Sequence, residues 1–347
     1  MKRFQDYWQK RNEKLFLSGE QNAFNMLEDI KTQYEKALKQ IDIQIHVFYG
    51  KYASENGISM SEARKILTKF ELKDFKSDLK EFLDYAKNNN LDKDYIKKLR
   101  LLEFKTKISR MDELKAKIEF EIQRMSGRVK DEVTDLLSNT YDEGYYKTIF
   151  NHQKFFGFGS DFAALNVKAI QKAILTPYMM ENYSDVIWRN KQSLLNILDQ
   201  QIPQGIILGY NPKKVAELAS KKLKTNYNST VRLVRTEYNL ILNDATIAGY
   251  KACGVEEYEL LATLDDRTSD ICQDMDGKHF LLSQKEVGVN YPPFHPNCRT
   301  TTIPYYEKDE IDEMYGIGTR LAKDEFGEYY KVPSDITYKK WRETYEI

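Results

Sequence analysis

Cysteine and histidine are scarce in this chain of 347 residues, which contains 3 Cys and 4 His. So few cysteines exclude a fold that depends on a framework of disulfide bonds. They favour a protein that resides in a reducing compartment. No run approaches the roughly eighteen consecutive apolar residues that a membrane-spanning helix needs. The charged N-terminus also lacks the apolar stretch of a signal peptide. The sequence therefore predicts a soluble protein made in the cytoplasm, without a stable membrane span.

A net charge is missing as well, because 53 Lys and Arg balance 53 Asp and Glu. The overall composition thus gives no indication of a nucleic-acid partner, and only a local basic patch could provide one.

Familiar catalytic motifs are absent. The sequence has no HExxH motif, no P-loop, no glycine-rich nucleotide-binding turn and no serine-centred elbow. Zinc-dependent deaminases carry an H-x-E motif and a PCxxC motif, and neither occurs here. We therefore predict that the protein is not an enzyme.

Helical periodicity dominates what is present. In the first fifty residues, apolar side chains recur every three or four positions, at Ala23, Leu27, Ile30, Tyr34, Leu38, Ile41, Ile45 and Phe48. A second run of this kind begins near Asp92 and continues to Leu136, with only Gly127 interrupting it. The row of apolar residues in this run fits a coiled coil or an antiparallel helical hairpin equally well.

Breaks in the periodic pattern divide the middle of the chain. The aromatic and glycine-rich segment from Tyr141 to Gly159 predicts a packed hinge between helical units, with a docking surface as the alternative. The run IPQGIILGYNP is expected to end the next helix near Leu198. Two further helices are predicted, one from Pro212 to about Lys224 and another after Ser229–Thr230.

The fold class predicted from these patterns is mainly α, with long N-terminal helices, a central helical bundle and a small C-terminal α+β module. Strands of this module are expected at 255–264, 278–282 and 300–306. The predicted segments are an extended helical region over 1–150, a helical bundle over 151–250, the α+β module over 251–310 and a C-terminal tail over 311–347.

The segment from Leu264 to Pro304 concentrates the rare residues, with two of the three Cys and two of the four His. His295–Pro296–Asn297–Cys298 places an imidazole and a thiol three residues apart. Cys272 lies upstream, and Arg299 follows directly. This concentration indicates a specialised turn.

The order of motifs between Arg235 and Pro304 resembles the phage Mu protein F-like head-morphogenesis family of minor head proteins. These motifs are RTE at 235–237, DRT at 266–268, Cys272, Asp276–Gly277 and HPNCR at 295–299. Each motif alone is weak, but together they occur in the order found in the family. The resemblance covers about residues 160–306. Thr300 stands where many members of the family have a third cysteine.

The resemblance implies a non-catalytic minor head protein of a tailed bacteriophage that acts in head assembly at or near the portal vertex. It implies a location in the virion, after assembly in the cytoplasm of the host bacterium. The partners that it implies are the portal protein and the scaffolding or major capsid protein. Ejection with the DNA, as inferred for some members of the family, is a further expectation.

A structural zinc site is the sharpest chemical prediction for the module. Zinc prefers thiolate and imidazole ligands in a tetrahedral arrangement, and a short spacing lets one turn supply two of them. His295 and Cys298 form such a pair, Cys272 supplies a third ligand, and His279 or Asp276 the fourth. Two alternatives remain open: the cysteines are simply buried while His295 bonds to the backbone, or Cys272 and Cys298 form a disulfide. No other cofactor is indicated.

Charged residues of the module are candidates for a buried ion network, namely Arg235, Glu237, Asp265, Asp266, Arg267 and Arg299. The arginine fork matches a carboxylate with two hydrogen bonds, so such pairs can fix loops. Asp276, Gly277 and Pro296 belong to the same structural motif. The catalytic alternative is a zinc-dependent hydrolase in which Glu237 is the general base.

A basic cluster precedes the module and consists of Lys213, Lys214, Lys221, Lys222, Lys224 and Arg232. These side chains could contact the phosphates of packaged double-stranded DNA without reading its sequence. The alternative is an ordinary solvated helix face.

Overall fold

The computed structural model describes residues 2–55, 57–59, 74–75, 80–89, 91–104, 108–156, 162–177, 181–306, 319–323, 329–333 and 336–345. Within these residues the chain is mainly helical, with a small C-terminal sheet, so the predicted fold class is confirmed. No helix of this described part is both long and apolar enough to cross a membrane.

Four long helices make up most of the helical residues that the structure describes. The helices, in order, are α1 (Lys2–Glu55), α2 (Lys80–Asn88), α3 (Lys93–Phe104), α4 (Arg110–Phe156), α5 (Val167–Ile174), α6 (Tyr183–Ile207), α7 (Pro212–Ala252), α8 (Asp270–Met275) and α9 (Tyr338–Tyr345). Of the periodic apolar residues of α1, Ile30, Ile41 and Ile45 are fully buried and Leu38 is half-buried. Their three- and four-residue spacing places them on one face of the helix, as the sequence predicts.

The run predicted from Asp92 to Leu136 is two helices, α3 and α4. A short strand, β2 (Ile108–Ser109), separates them and pairs with β1 (Asp74–Phe75). Gly127 lies inside α4, and no heavy atom lies within 4 Å of the place where its Cβ would be. The glycine therefore costs the helix some stability without interrupting it.

The hinge predicted over the aromatic segment is wrong, because α4 continues through Tyr141 as far as Phe156. Residues 157–159 of this segment lie outside the described residues. Gly144 serves close packing, since a Cβ at this position would lie 2.9 Å from the Cβ of Ala245 on α7. A glycine that lets two helices approach each other is easily mistaken for a helix breaker.

Helix α6 also extends further than the sequence predicts. It passes Leu198, includes Pro203 and ends at Ile207. Gly209 follows with a φ of +74°, and Tyr210 donates its backbone N–H to the carbonyl of Gly205. The glycine therefore ends the helix through a left-handed C-terminal cap.

The two helices predicted between Pro212 and Gly254 are one continuous helix, α7. Ser229 and Thr230 do not cap a new helix, because their hydroxyls donate to the carbonyls of Thr225 and Asn226, four residues back. Ser and Thr make this bond inside helices as well as at helix starts, so sequence alone does not distinguish the two roles.

The C-terminal module is built on a three-stranded antiparallel sheet in the order β4-β3-β5. The strands are β3 (Glu257–Leu261), β4 (His279–Leu281) and β5 (Thr301–Tyr305), which confirms the three predicted strands. A core of buried side chains lies between the sheet, the end of α7 and the loop before β5; it includes Tyr250, Val255, Tyr258, Leu260, Cys272, Tyr291, Phe294 and Cys298.

The chain forms two compact units. One comprises Met1–Met26, Val133–Tyr183 and Arg232–Ile347 and contains the module; the other comprises Leu27–Glu132 and Ser184–Val231. Each unit takes residues from more than one of the four segments predicted from sequence. The division into those four segments stays a prediction.

The described part of the C-terminal tail packs on the module. It consists of the hairpin β6 (Thr319–Lys323) and β7 (Tyr329–Pro333), followed by α9. Trp341 of α9 is fully buried in a cluster with Leu264. The carboxylate of Asp276 accepts hydrogen bonds from the backbone N–H of Ala262, at 2.8 Å, and of Tyr338, at 3.0 Å. One carboxylate therefore holds α9 against the sheet.

We expect Asp276→Asn to lower the free energy of unfolding by about 2 kcal/mol, because the amide can accept only through its one oxygen. The control is Asp274→Asn, since Asp274 also reaches α9 but through an exposed ion pair of 3.3 Å with Lys339. Exposed pairs of this kind add little stability. Urea unfolding, followed by tryptophan fluorescence, measures both variants. Equal midpoints for Asp276→Asn and wild type would contradict the role of Asp276.

Candidate functional site

The HPNC turn, residues 295–298, is fixed by backbone hydrogen bonds. Cys298 donates its N–H to the carbonyl of His295, at 3.1 Å. Asn297 has a φ of +61°, a left-handed conformation that asparagine adopts more readily than most residues. Its N–H donates to the hydroxyl of Thr236 on α7, at 3.0 Å. The turn is therefore both closed on itself and attached to the long helix.

Three of the predicted metal ligands meet at this turn. The Sγ atoms of Cys272 and Cys298 lie 3.7 Å apart, and Cys272 Sγ lies 3.3 Å from His295 Nε2. The three ligand atoms all lie within 4.8 Å of one another. Both thiols are free and buried, and His295 is half-buried. We call Cys272, His295 and Cys298 the thiol–imidazole cluster.

The backbone selects the tautomer of the neutral His295 ring. Nδ1 lies 2.9 Å from the carbonyl oxygen of Pro296, which can only accept a hydrogen bond. In the neutral ring Nδ1 therefore carries the proton, and Nε2 has the lone pair. Nε2 lies 2.7 Å from the hydroxyl of Ser269, which can donate to it. The lone pair thus faces the same space as the thiol of Cys272.

A hydrogen bond couples the two thiols. The hydrogen bond from Cys272 lowers the pKa of the Cys298 thiol. The same hydrogen bond, together with burial, raises the pKa of the Cys272 thiol. Loss of a proton from one sulfur therefore affects the other, and the two pKa values belong to the pair.

Neither predicted fourth ligand joins the cluster. His279 lies on the exposed face of β4, where its Nδ1 is 2.9 Å from a carboxylate oxygen of Glu257 and its ring stacks on Tyr305. Asp276 uses its carboxylate for the two backbone N–H groups that hold α9. The residue that does lie beside the cluster is Ser269, which sequence reasoning missed. It stands three residues before Cys272, at the start of the same short helix, and this spacing was the available signal.

The predicted ion network reduces to one central pair. Arg299 donates two hydrogen bonds to the buried carboxylate of Asp265, at 2.5 and 2.7 Å. The hydroxyl of Thr268 and the backbone N–H of Arg267 also donate to Asp265. Burial alone would raise the pKa of Asp265, but these hydrogen bonds and the charge of Arg299 outweigh it and lower the pKa.

The other charged residues of the predicted network stay outside this pair. Arg235 and Asp266 are exposed and form no ion pair with any described residue. The guanidinium of Arg267 is 69% exposed and lies 3.7 Å from Asp265. Glu237 is buried, and one of its carboxylate oxygens has no hydrogen-bond partner among the described residues. Burial raises the pKa of Glu237 to about 7.

Sequence reasoning also missed a set of amides that cover the outer edge of β5. The carbonyl of Thr300, just before this strand, accepts from the side-chain amides of Asn239, at 2.9 Å, and Asn243, at 3.3 Å. The carbonyl of Thr302 accepts from the amide of Asn12 and the hydroxyl of Tyr250. Two asparagines four residues apart within an apolar helix stretch were the available signal.

Known protein families and curated proteins were compared with this chain, and the family match contains the site residues described above. Residues 196–303 match the model of the family described as Phage Mu protein F like protein. Over 266 residues the chain is 24% identical to Minor head protein GP7 of Bacillus phage SPP1, covering 70% of this chain and 82% of that protein. The chain resembles the Mu F-like minor head proteins. The resemblance inferred from the motifs is therefore confirmed, and it supports a role as a phage head protein.

We call residues 196–303 the Mu F-like segment. It begins within α6, contains the whole of α7 and ends within β5, so it includes the thiol–imidazole cluster, the Asp265–Arg299 pair and most of the amides at the edge of β5. No solved structure matches the chain significantly.

We expect Arg299→Ala to lower the free energy of unfolding at pH 7 by about 3 kcal/mol, because it leaves a buried carboxylate without its counter-ion. Arg267→Ala is the matched control, since it removes an exposed arginine from the same carboxylate and should cost less than about 1 kcal/mol.

The pH dependence of this difference follows from the lowered pKa of Asp265. A carboxyl group whose pKa is lowered by folding stabilises the fold above its unfolded-state pKa, which is about 3.9 for Asp. That contribution is lost as the pH falls through the folded-state pKa. Urea unfolding should therefore show the gap between wild type and Arg299→Ala narrowing below about pH 4. A gap that stays constant on acidification would contradict the assignment.

Proposed function

We propose that this protein acts in assembly of the phage head at or near the portal vertex, as a non-catalytic minor head protein that becomes part of the virion. The observation that carries the proposal is the extent of the similarity to Minor head protein GP7. It spans 266 residues and so reaches well beyond the Mu F-like segment. A shared domain alone would not produce a match of this length.

The chemistry of the module supports an architectural role. Asp265, Asp276, Asn239 and Asn243 direct their polar atoms to backbone groups or to Arg299 within the fold. Catalytic groups instead need to face a substrate. The motif residues thus act mainly in holding loops and strands, as expected of a protein that binds other head components.

The portal protein is the proposed main partner, with the scaffolding or major capsid protein as further ones. Such contacts would explain incorporation during assembly in the host cytoplasm. Ejection with the DNA is an extension of this proposal, and it requires that the protein leave the head when the particle empties.

Quantitative mass spectrometry of purified virions and empty procapsids tests the main proposal. We expect the protein in both, in far fewer copies than the major capsid protein. Cross-linking of procapsids should join it preferentially to the portal protein. Absence from both kinds of particle would contradict the proposal. Particles emptied in vitro provide the test of ejection, because an ejected protein is lost from them.

Contact with packaged DNA is a second candidate function, and the continuity of α7 favours it. Lys213, Lys214, Lys221 and Lys224 are exposed. At 100° per residue they lie within about 100° of one another around the helix, so they form a basic stripe. Lys214 also lies over the ring of Tyr210, at 3.6 Å. Lys222 is half-buried and falls outside the stripe, and Arg232 is exposed further along α7.

Removing the basic stripe should weaken DNA binding and its dependence on salt. For the variant with Gln at 213, 214, 221 and 224, the slope of log affinity against log salt should become shallower by up to about 3.6, since each phosphate contact contributes about 0.9. Fluorescence anisotropy with a short duplex in a KCl series measures this slope.

The control variant places Gln at Lys36, Lys39, Lys93 and Lys97, which are exposed lysines of α1 and α3. Its charge change is identical, so it separates a local site from an effect of net charge. Equal slopes for the two variants would contradict a DNA site on the stripe.

A further inference from the structure

The thiol–imidazole cluster has the donor set that zinc prefers. It offers two sulfur atoms and one imidazole nitrogen, from a short helix and from the HPNC turn. Zinc accepts thiolate and neutral imidazole ligands in tetrahedral sites. Among the described residues, these three side chains are the group of His, Cys, Asp and Glu whose ligand atoms converge closely enough for one ion.

The distances within the cluster agree with the edges of a zinc tetrahedron. Zn–S bonds of about 2.3 Å and Zn–N bonds of about 2.05 Å give S–S edges of about 3.8 Å and S–N edges of about 3.6 Å. The corresponding distances are 3.7 Å between the sulfur atoms and 3.3 Å between Cys272 Sγ and His295 Nε2. The third edge, from Cys298 Sγ to His295 Nε2, is no longer than 4.8 Å, so a rotation of the imidazole toward Cys298 would complete this face of the tetrahedron.

The imidazole is already oriented for a metal. A zinc-bound histidine usually donates its second ring N–H to a carbonyl or a carboxylate. His295 has this arrangement, because Nδ1–H points to the carbonyl of Pro296 and Nε2 points into the cluster. The attachment of Asn297 to Thr236 holds the turn in place without an ion.

The fourth coordination position lies on the side of Ser269. His279 and Asp276 are engaged elsewhere, and Ser269 and His295 are half-buried, so solvent can reach this side. We propose that Cys272, His295 and Cys298 bind one zinc ion through Sγ, Nε2 and Sγ, and that a water molecule beside the Ser269 hydroxyl completes the tetrahedron. The binding site is independent of the role in head assembly.

Metal analysis of the full-length protein, purified with a reductant, tests the proposal. We expect about one zinc per chain in the wild type and loss of that zinc in Cys298→Ser and Cys272→Ser. Cys253→Ser is the matched control, because Cys253 lies near the end of α7 outside the cluster. His279→Ala is a second control, and both controls should keep the zinc.

X-ray absorption of the zinc-loaded wild type counts the ligands. The expected first shell is two sulfur and two nitrogen or oxygen atoms, and Ser269→Ala should leave this count unchanged because water supplies the oxygen.

A variant that fails to fold would lose zinc for a trivial reason, so wild type supplies the decisive comparison. Removing zinc with a chelator should lower its Tm, and zinc should restore the Tm. A reduced wild type that holds no zinc and shows no change in Tm on zinc addition would overturn the proposal. Loss of zinc in Cys253→Ser equal to that in Cys298→Ser would overturn it as well.

Discussion

The outer edge of β5 is the constraint on which the module depends. This strand ends a three-stranded sheet, so no further strand among the described residues pairs with the carbonyls of Thr300 and Thr302. Both residues are buried, and a buried carbonyl without a donor costs about 1–3 kcal/mol. Side chains from the helices supply the donors: Asn239, Asn243 and Tyr250 from α7, and Asn12 from α1. The sheet and these helix segments therefore form one folded unit, and the end of β5 next to Arg299 is fixed by α7.

Two buried carboxylates extend this arrangement to the loops, and each is stabilised in a different way. Asp265 is paired with the guanidinium of Arg299, whereas Asp276 accepts backbone N–H groups from Ala262 and Tyr338. The first arrangement connects the loop after β3 to the residue that follows the HPNC turn. The second connects the end of α8 to α9. Motifs that look like candidate catalytic residues in the sequence are thus used as hydrogen-bond acceptors between segments that are distant in the chain. Among the described motif residues, this use leaves the thiol–imidazole cluster and one carboxylate oxygen of Glu237 available as ligand atoms.

The sequence predicted the three strands of the module and three members of the cluster, because turn residues bound the strands and the HPNC spacing is short. It was less successful where a residue has two roles. Gly144 permits close helix packing but resembles a helix breaker in isolation. Thr230 bonds back to its own helix but resembles the start of a new helix. Spacing also gives no information about which face of a strand a side chain occupies, so His279 was expected at the cluster although it stacks on Tyr305. Asn239 and Asn243 were missed because their partner is the backbone of a strand about sixty residues away.

The Mu F-like segment contains most of these hydrogen bonds. A segment made of the sheet alone would lack the amide donors for the carbonyl of Thr300, whereas the matched residues include the whole of α7 and therefore Asn239 and Asn243. The match nevertheless excludes Asn12, whose amide lies at the carbonyl of Thr302. In this chain Asn12 of α1 therefore supplies a further donor at this edge, and the part of α1 up to Met26 belongs to the same compact unit as the module.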